Sequence, residues 1–280
     1  MMSSGQSPAV DRQRTVRENV GLSGAGLHSG EPCEVIIRPA DADAGIIFAI
    51  NGEEIPANAR SVTDTARGVS LGANGQRVMT VEHLLAALRG CGIDNARVEL
   101  TGSEIPAVDG SSKPFVDAIV AAGTQIQDRP RKIYELREPV CVMSGGSYIL
   151  AAPSDRLCVN YVMRYAHPMI GAQSFTFAFE QEAFQKDIAP ARTFVLYEEV
   201  ASLISQRLAQ GGNLSNTIVV WQERLSCDLR YPDEFARHKV LDVVGDLALL
   251  GAALRADIVA VKSGHALNVE LVRRLMELEG

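Results

Sequence analysis

The stretch EFARHKVLDVVGDLALLG, residues 234–251, sets the tightest limit on how this chain folds. On a helix, His238, Asp242 and Asp246 recur every four residues and climb one face together. Val240, Val243, Val244, Leu247 and Leu250 fall on the other face as an apolar stripe at helical period. Gly245 sits among the polar side chains, where it costs helix stability and leaves room for a close approach. An imidazole and two carboxylates in a row beside such a gap make a metal-site candidate. A solvated polar face is the plain alternative for an isolated H-x3-D. The flanks are too apolar for a surface helix, and buried carboxylates need a partner or a cation.

With 280 residues the chain can bury a sizeable core and fits one large domain or two small ones. Its 27 basic and 34 acidic residues give a formal charge of -7 and are mixed without blocks, which argues against a nucleic-acid partner. The five cysteines (Cys33, Cys91, Cys141, Cys158 and Cys227) are an odd, scattered set without C-x-x-C spacing. They read as reduced thiols of the cytoplasm and not as a disulfide frame or a thiolate zinc site. The polar start, Met1 to Arg14, does not resemble a signal peptide. No apolar run approaches the roughly 18 residues of a membrane span. The expectation is a cytoplasmic protein that works as a monomer.

Residues 1–13, rich in Ser, Gly and Gln, are expected to form a disordered leader. Strand-like text follows from Arg14: TVRENVGLSG, EVIIRP and GIIFAI. Between the first two lies GAGLHSG, whose G-x-G is followed by a strand where a dinucleotide fold needs a helix, so that reading is rejected. His28 in this loop reads as structural, with contact to a ligand as the lesser alternative. In TVEHLLAALRG, Thr80 is placed as N-cap and Gly90 as the stop, and Glu82 and His83 turn away from the apolar stripe. The polar segment 123–132 is the expected boundary between units at 14–124 and 132–280. His167, before a proline, reads as structural. Each half begins with strands and ends helix–strand–helix, and each carries a histidine on a helix. That pattern implies a duplicated α+β unit.

One arrangement accounts for three of the five histidines. His83, His238 and Asp242 supply three ligands to a zinc ion and leave the fourth position open, the pattern of a catalytic site. Fe2+ suits the same donors. Glu82, beside a ligand, is placed to take a proton from water, as in H-E-x-x-H sites. His265, oriented by Asp246 and protonated, would stabilise an oxyanion and protonate a leaving amine. Two rivals stay open: a nucleotide-sugar or metal binder without chemistry, and an acid–base enzyme without metal. A binder has no need of Glu82, and metal content decides the other case. A serine hydrolase is disfavoured because G-x-S-x-G is missing.

At these residues the sequence resembles the LpxC family, zinc-dependent UDP-3-O-acyl-N-acetylglucosamine deacetylases of Gram-negative lipid A synthesis. The blocks GAGLHSG, TVEHLLAAL, GIDN, EIPAVDGSSKPFV, ARTF, DEFARHKVLDVVGDL and KSGHALN carry the likeness, in order, from about Thr15 to Leu278. The resemblance implies an α+β fold of two similar two-layer domains with helices sandwiched between the two sheets. It implies zinc on His83, His238 and Asp242, Glu82 as base, and His265 as cationic partner supported by Asp246. Thr193 of ARTF would donate to the oxyanion. Lys239 and Lys262 would face the diphosphate of a UDP-linked, acylated amino sugar, and Phe194 its apolar part. An insert at about 197–220 would shape a passage for the acyl chain. Three places depart from the family pattern: Arg67 where the usual residue is apolar, Arg207-Leu208 in the insert, and Cys227-Asp-Leu-Arg230 before the metal helix. The alternatives are a divergent paralogue acting on a related nucleotide sugar and a non-catalytic nucleotide-sugar binder.

Overall fold

The computed structural model describes residues 11–279. Six helices are α1 (Glu82–Gly90), α2 (Lys113–Ala122), α3 (Gln181–Ala183, continued by a wider turn to Ile188), α4 (Tyr197–Ser205), α5 (Glu234–Leu247) and α6 (His265–Glu279). Alternating apolar residues in the first half form a five-stranded sheet. Its spatial order is Val20–Ala25, Pro32–Pro39, Ala96–Leu100, Ile46–Ile50, Glu53–Pro56. The strand Ala96–Leu100 is antiparallel to Pro32–Pro39 and parallel to Ile46–Ile50. The second half repeats this order with Val140–Ser144, Ser147–Pro153, Ala253–Val261, Leu157–Arg164 and Ala172–Ala178. Here Ala253–Val261 is again antiparallel to one neighbour and parallel to the other. The duplicated α+β unit expected from the element order is thus visible in the strand order.

In each unit one helix precedes the central strand and one follows it: α1 and α2 in the first, α5 and α6 in the second. Helix α2 packs on the strand Val20–Ala25, and α6 packs on Val140–Ser144 and Ser147–Pro153. Helix α5 packs both on its own sheet and on α1, so the helices lie between the two sheets. Apolar side chains from both units, among them Phe48, Leu84, Phe115, Phe184, Phe235 and Val243, are buried in one core cluster.

Two local expectations are corrected, at Thr80 and at the end of the expected leader. Thr80 is not an N-cap: its backbone is left-handed (φ 58°), and its hydroxyl donates to Glu104 Oε1 at 2.9 Å. Within the expected boundary at 123–132, Thr124–Pro130 is a strand antiparallel to Arg12–Val16. Gln13 and Asn95 tie that pair inward through Gln127 and Asp43. The leader expected at 1–13 lies mostly outside the described residues, but Arg12 and Gln13 belong to this strand pair. In the segment expected as the insert, α4 ends at Ser205, and Ile218–Val220 pairs parallel with Phe194–Leu196.

Candidate active site

Helix α5 is buried on nearly every side, so His238, Asp242 and Asp246 have little water to face. His238, Asp242, Asp246, Glu82 and His83 are each no more than 9% exposed. What they face is the first turn of α1. A Cβ at Gly245 would lie 2.2 Å from the Glu82 carbonyl oxygen, so this position has no room for a side chain. The gap legible at Gly245 is filled by the backbone of α1, and that close crossing sets Glu82 and His83 against the row on α5. Glu82 and His83 do turn from the apolar stripe, as expected, but into this buried crossing.

One ligand atom each from His83, His238 and Asp242 lie within 4.8 Å of one another. Asp242 Oδ1 is 3.7 Å from His83 Nε2 and 3.5 Å from His238 Nε2. The two imidazoles stand edge to face, with ring centres 5.1 Å apart. His238 Nδ1 donates to the Ala191 carbonyl at 3.1 Å, which leaves the Nε2 lone pair for a metal. Burial lowers the His238 pKa to about 3, so the ring is neutral and able to ligate. Asp242 Oδ2 accepts from Lys239 Nζ at 2.8 Å, whereas Oδ1 is buried without a hydrogen-bond partner. Burial alone would raise the Asp242 pKa; the Lys239 ammonium foremost outweighs it and holds the carboxyl well below its usual range. A buried, ionised oxygen with no partner, facing two imidazole nitrogens, fits a divalent cation.

Glu82 and His265 form a second group beside these three. Glu82 Oε2 accepts from the Val69 N–H at 2.9 Å, and Oε1 lies 3.8 Å from His265 Nε2. Gly68 backs this carboxylate so closely that a Cβ there would be 3.0 Å from Oε1. His265, the first residue of α6, donates Nδ1–H to Asp246 Oδ2 at 2.9 Å, and Asn268 Nδ2 donates to the same oxygen at 2.8 Å. Burial lowers the His265 pKa, but Asp246 and Glu82 overcome it and raise it to about 10. The imidazole is a cation at neutral pH, held there by its carboxylate neighbours.

The remaining sequence candidates are placed as follows. Thr193 N–H donates to the Gly110 carbonyl, and the Thr193 carbonyl accepts from Ile218, so the ARTF loop is pinned on both sides. The Phe194 ring lies 6.4 Å from the His238 ring and edge-on to Phe235. Thr193 and Phe194 begin a cavity of about 410 Å³ that runs between Leu27, Arg67, Leu203 and Leu214. Lys239 is committed to Asp242 and lies against the Phe194 ring. Lys262 is exposed at the turn before α6. His167 is buried, with Nδ1 accepting from the Met169 N–H.

Sequence reasoning missed three residues. Glu234, fully buried, takes Arg192 in a two-pronged ion pair and also accepts from the Arg230 backbone, locking the ARTF loop to the start of α5. Glu104 accepts from His28 N–H, Ser29 N–H and Thr80, shaping the GAGLHSG loop. Asn268 steadies Asp246. Each lies inside or beside a conspicuous block, but its task depends on a partner distant in the chain.

A buried two-histidine, one-aspartate group with a carboxylate and an imidazolium alongside defines the class: metal-dependent enzymes that hydrolyse a carbonyl compound. The chain belongs to the LpxC family, described as UDP-3-O-acyl N-acetylglycosamine deacetylase, whose family model matches residues 13–277. It is 45% identical over 268 residues to the UDP-3-O-acyl-N-acetylglucosamine deacetylase of Anaeromyxobacter sp. (strain Fw109-5), covering 94% of this chain and 88% of that one. The enzyme of the same name from Myxococcus xanthus (strain DK1622) is 42% identical, with 96% and 88% covered. That from Chlamydia muridarum (strain MoPn / Nigg) is 40% identical, with 95% of each chain covered.

Proposed function

We propose that this chain hydrolyses the acetamide of a UDP-3-O-(3-hydroxyacyl)-N-acetylglucosamine, the committed deacetylation of lipid A synthesis, with Zn2+ on His83, His238 and Asp242. The observation that carries this reading is the orphaned Asp242 Oδ1 between two imidazole nitrogens, with Glu82 and His265 beside it. Zinc, when bound, supplies a Lewis acid that polarises a carbonyl and makes water a nucleophile at neutral pH. Fe2+ would serve the same donors.

This chain's residues do the rest. Glu82 is fixed through Oε2 on Val69 and takes the proton of the attacking water. His265, kept cationic by Asp246, turns Nε2–H to the carbonyl oxygen as it gains charge and then protonates the departing amine. Thr193 adds a hydrogen bond to that oxygen. Water thus gives its oxygen to the acyl carbon and its two protons to the amine, so the C–N bond breaks to acetate and an ammonium group. Lys239 holds Asp242 from the diphosphate side, where exposed Lys262 meets the phosphates. Phe194 and the cavity beyond it take the acyl chain. All five cysteines are free, in keeping with a reducing cytoplasm, where we place the protein as a monomer. No helix among the described residues is long and apolar enough to cross a membrane.

The test couples metal content with acetate release from the acylated UDP-sugar, before and after chelation. About one zinc per chain, and activity that chelation removes and zinc restores, is the expected result. Turnover unaffected by metal removal overturns the mechanism. Metal without acetate release overturns the substrate.

A further inference from the structure

The walls of the 410 Å³ cavity come from both halves of the chain. One wall is the loop carrying Arg67, with Leu27 and His28 beside it; the other is α4 and the turn after it. Most of the lining is apolar, and Arg67 is its one formally charged side chain at neutral pH. Arg67 also holds its backbone in the left-handed region (φ 65°), which side-chain-bearing residues seldom adopt without cause. Its guanidinium reaches across to Glu199 in the first turn of α4, at 2.8 Å.

Two seams therefore join the walls. The first is made largely by backbone: Gln210 N–H donates to the His28 carbonyl and Gly211 N–H to the Leu27 carbonyl, both at 3.1 Å. His28 reinforces it, because Nδ1 accepts from Ala209 N–H and Nε2–H donates to the Arg67 carbonyl. Gly211 is packed so tightly that a Cβ would sit 2.1 Å from the Gly26 oxygen. The second seam is the Arg67–Glu199 pair. Among the described residues it is the only hydrogen bond or ion pair between α4 itself and the N-terminal half. Helix α4 is thinly covered, with Tyr197 54% and Ile204 58% exposed. A helix with so few buried contacts moves at low cost.

We propose that the Arg67–Glu199 ion pair is a clasp that selects acyl chains. This rests on the reading of the cavity as the acyl site. Closed, the pair holds α4 against the Arg67 loop and sets the cavity's width. A chain longer or bulkier than the closed cavity accepts must part it. The two side chains are 50% and 38% exposed, so the pair is weak and screened by salt, which suits a contact that a ligand opens. The backbone seam stays shut and keeps the far wall in place.

The test uses the metal-loaded full chain and its Arg67→Gln, Glu199→Gln and charge-swapped (Arg67→Glu with Glu199→Arg) variants. Acetate release is measured on UDP-sugars whose 3-O-acyl chains increase in length. Both single variants should raise kcat/KM for chains beyond the wild-type optimum, relative to that optimum, by about threefold to fivefold, the range of an exposed ion pair. The swap should restore the wild-type profile. Four superimposable profiles overturn the clasp. A second readout needs no turnover: displacement of a fluorescent fatty acid by straight-chain fatty acids of the same lengths. The same shift there supports the clasp, and identical displacement profiles, or no fatty-acid binding by any variant, overturn it. If the wild type releases acetate from none of the acylated sugars, the deacetylase reading fails while the fatty-acid series still decides the clasp.

Discussion

Gly245→Ala tests the helix crossing on which the whole site depends. The new Cβ would meet the Glu82 carbonyl oxygen at 2.2 Å and the carbonyl carbon at 2.9 Å, where ordinary contact begins at 3.4 Å. Both obstacles are backbone, so no rotamer change relieves them. The helices must part by about 1 Å, the shortfall against ordinary packing. Alanine is favoured over glycine in a helix by about 1 kcal/mol, whereas overpacking costs about 1–3 kcal/mol and more where backbone is the obstacle. The net should be a loss of roughly 1–2 kcal/mol, a fall in Tm of about 2–8 °C. The effect on chemistry should be larger. Glu82 and His83 ride on α1 while His238 and Asp242 ride on α5, and a misplacement of about 1 Å costs on the order of a hundredfold in rate. Thermal unfolding of the metal-free protein isolates the packing cost, and kcat/KM with saturating zinc isolates the geometric one. A variant as stable as the parent and fully active would refute the argument that this crossing sets the site.

Three further outcomes follow from the site geometry. Glu82→Ala should retain its metal and lose at least about a hundredfold in kcat, as for a positioned base; full activity removes Glu82 from that role. Lys239→Met should weaken metal binding by about 10–100-fold, because Lys239 both orients Asp242 and keeps it ionised. Without the ammonium the Asp242 pKa rises, so metal should be lost at a higher pH on acidification than in the parent; unchanged retention by metal analysis would deny Lys239 that part. Asp246→Asn removes the carboxylate that lifts His265 and leaves burial, which lowers it. The alkaline limb of kcat/KM should then move to lower pH, and an unmoved limb would exclude this coupling. The same raised pKa makes the His265 contribution to folding stability complete below its unfolded pKa of about 6.5. That contribution is lost as pH climbs toward about 10, a decline in urea-unfolding stability that Asp246→Asn should abolish.

Residues whose meaning lies in helical period were legible in the sequence. His238, Asp242 and Asp246 share a face because they are four apart, and the apolar flanks already said that this face is dry. What each carboxylate meets was not legible from that spacing. Asp242 finds Lys239 and two imidazoles, while Asp246, one turn on, finds His265 and Asn268. Lys239, which the resemblance places toward the diphosphate, also donates to Asp242 Oδ2, a contact that the resemblance did not specify. Thr80 satisfies a sequence rule for capping, but its hydroxyl is claimed by Glu104, a partner no local rule can supply. The segment 123–132 reads as a boundary because it is polar, and the strand within it was not legible: Thr124–Pro130 forms a two-stranded sheet with Arg12–Val16 and is largely exposed, where polarity is no obstacle to pairing.

The strand order explains why no spacing rule could have linked the ligands. Helices α1 and α5 occupy equivalent places, each leading into the central strand of its own sheet. A duplicated unit that packs its helices against its copy brings those two elements together between the sheets, although they are far apart in the chain. His83 and His238 are therefore the contributions of two equivalent helices to one centre. Each helix buries its apolar stripe in the core, and the polar rows left over face each other at Gly245. Neither unit alone offers the full candidate donor set, because one supplies a single imidazole and the other an imidazole and a carboxylate. The proposed acid–base pair divides in the same way, with Glu82 on the first unit and His265 on the second. The chemistry of this fold thus resides at the seam of a duplication, where two helices that each needed a partner for an uncovered polar face found one in the other.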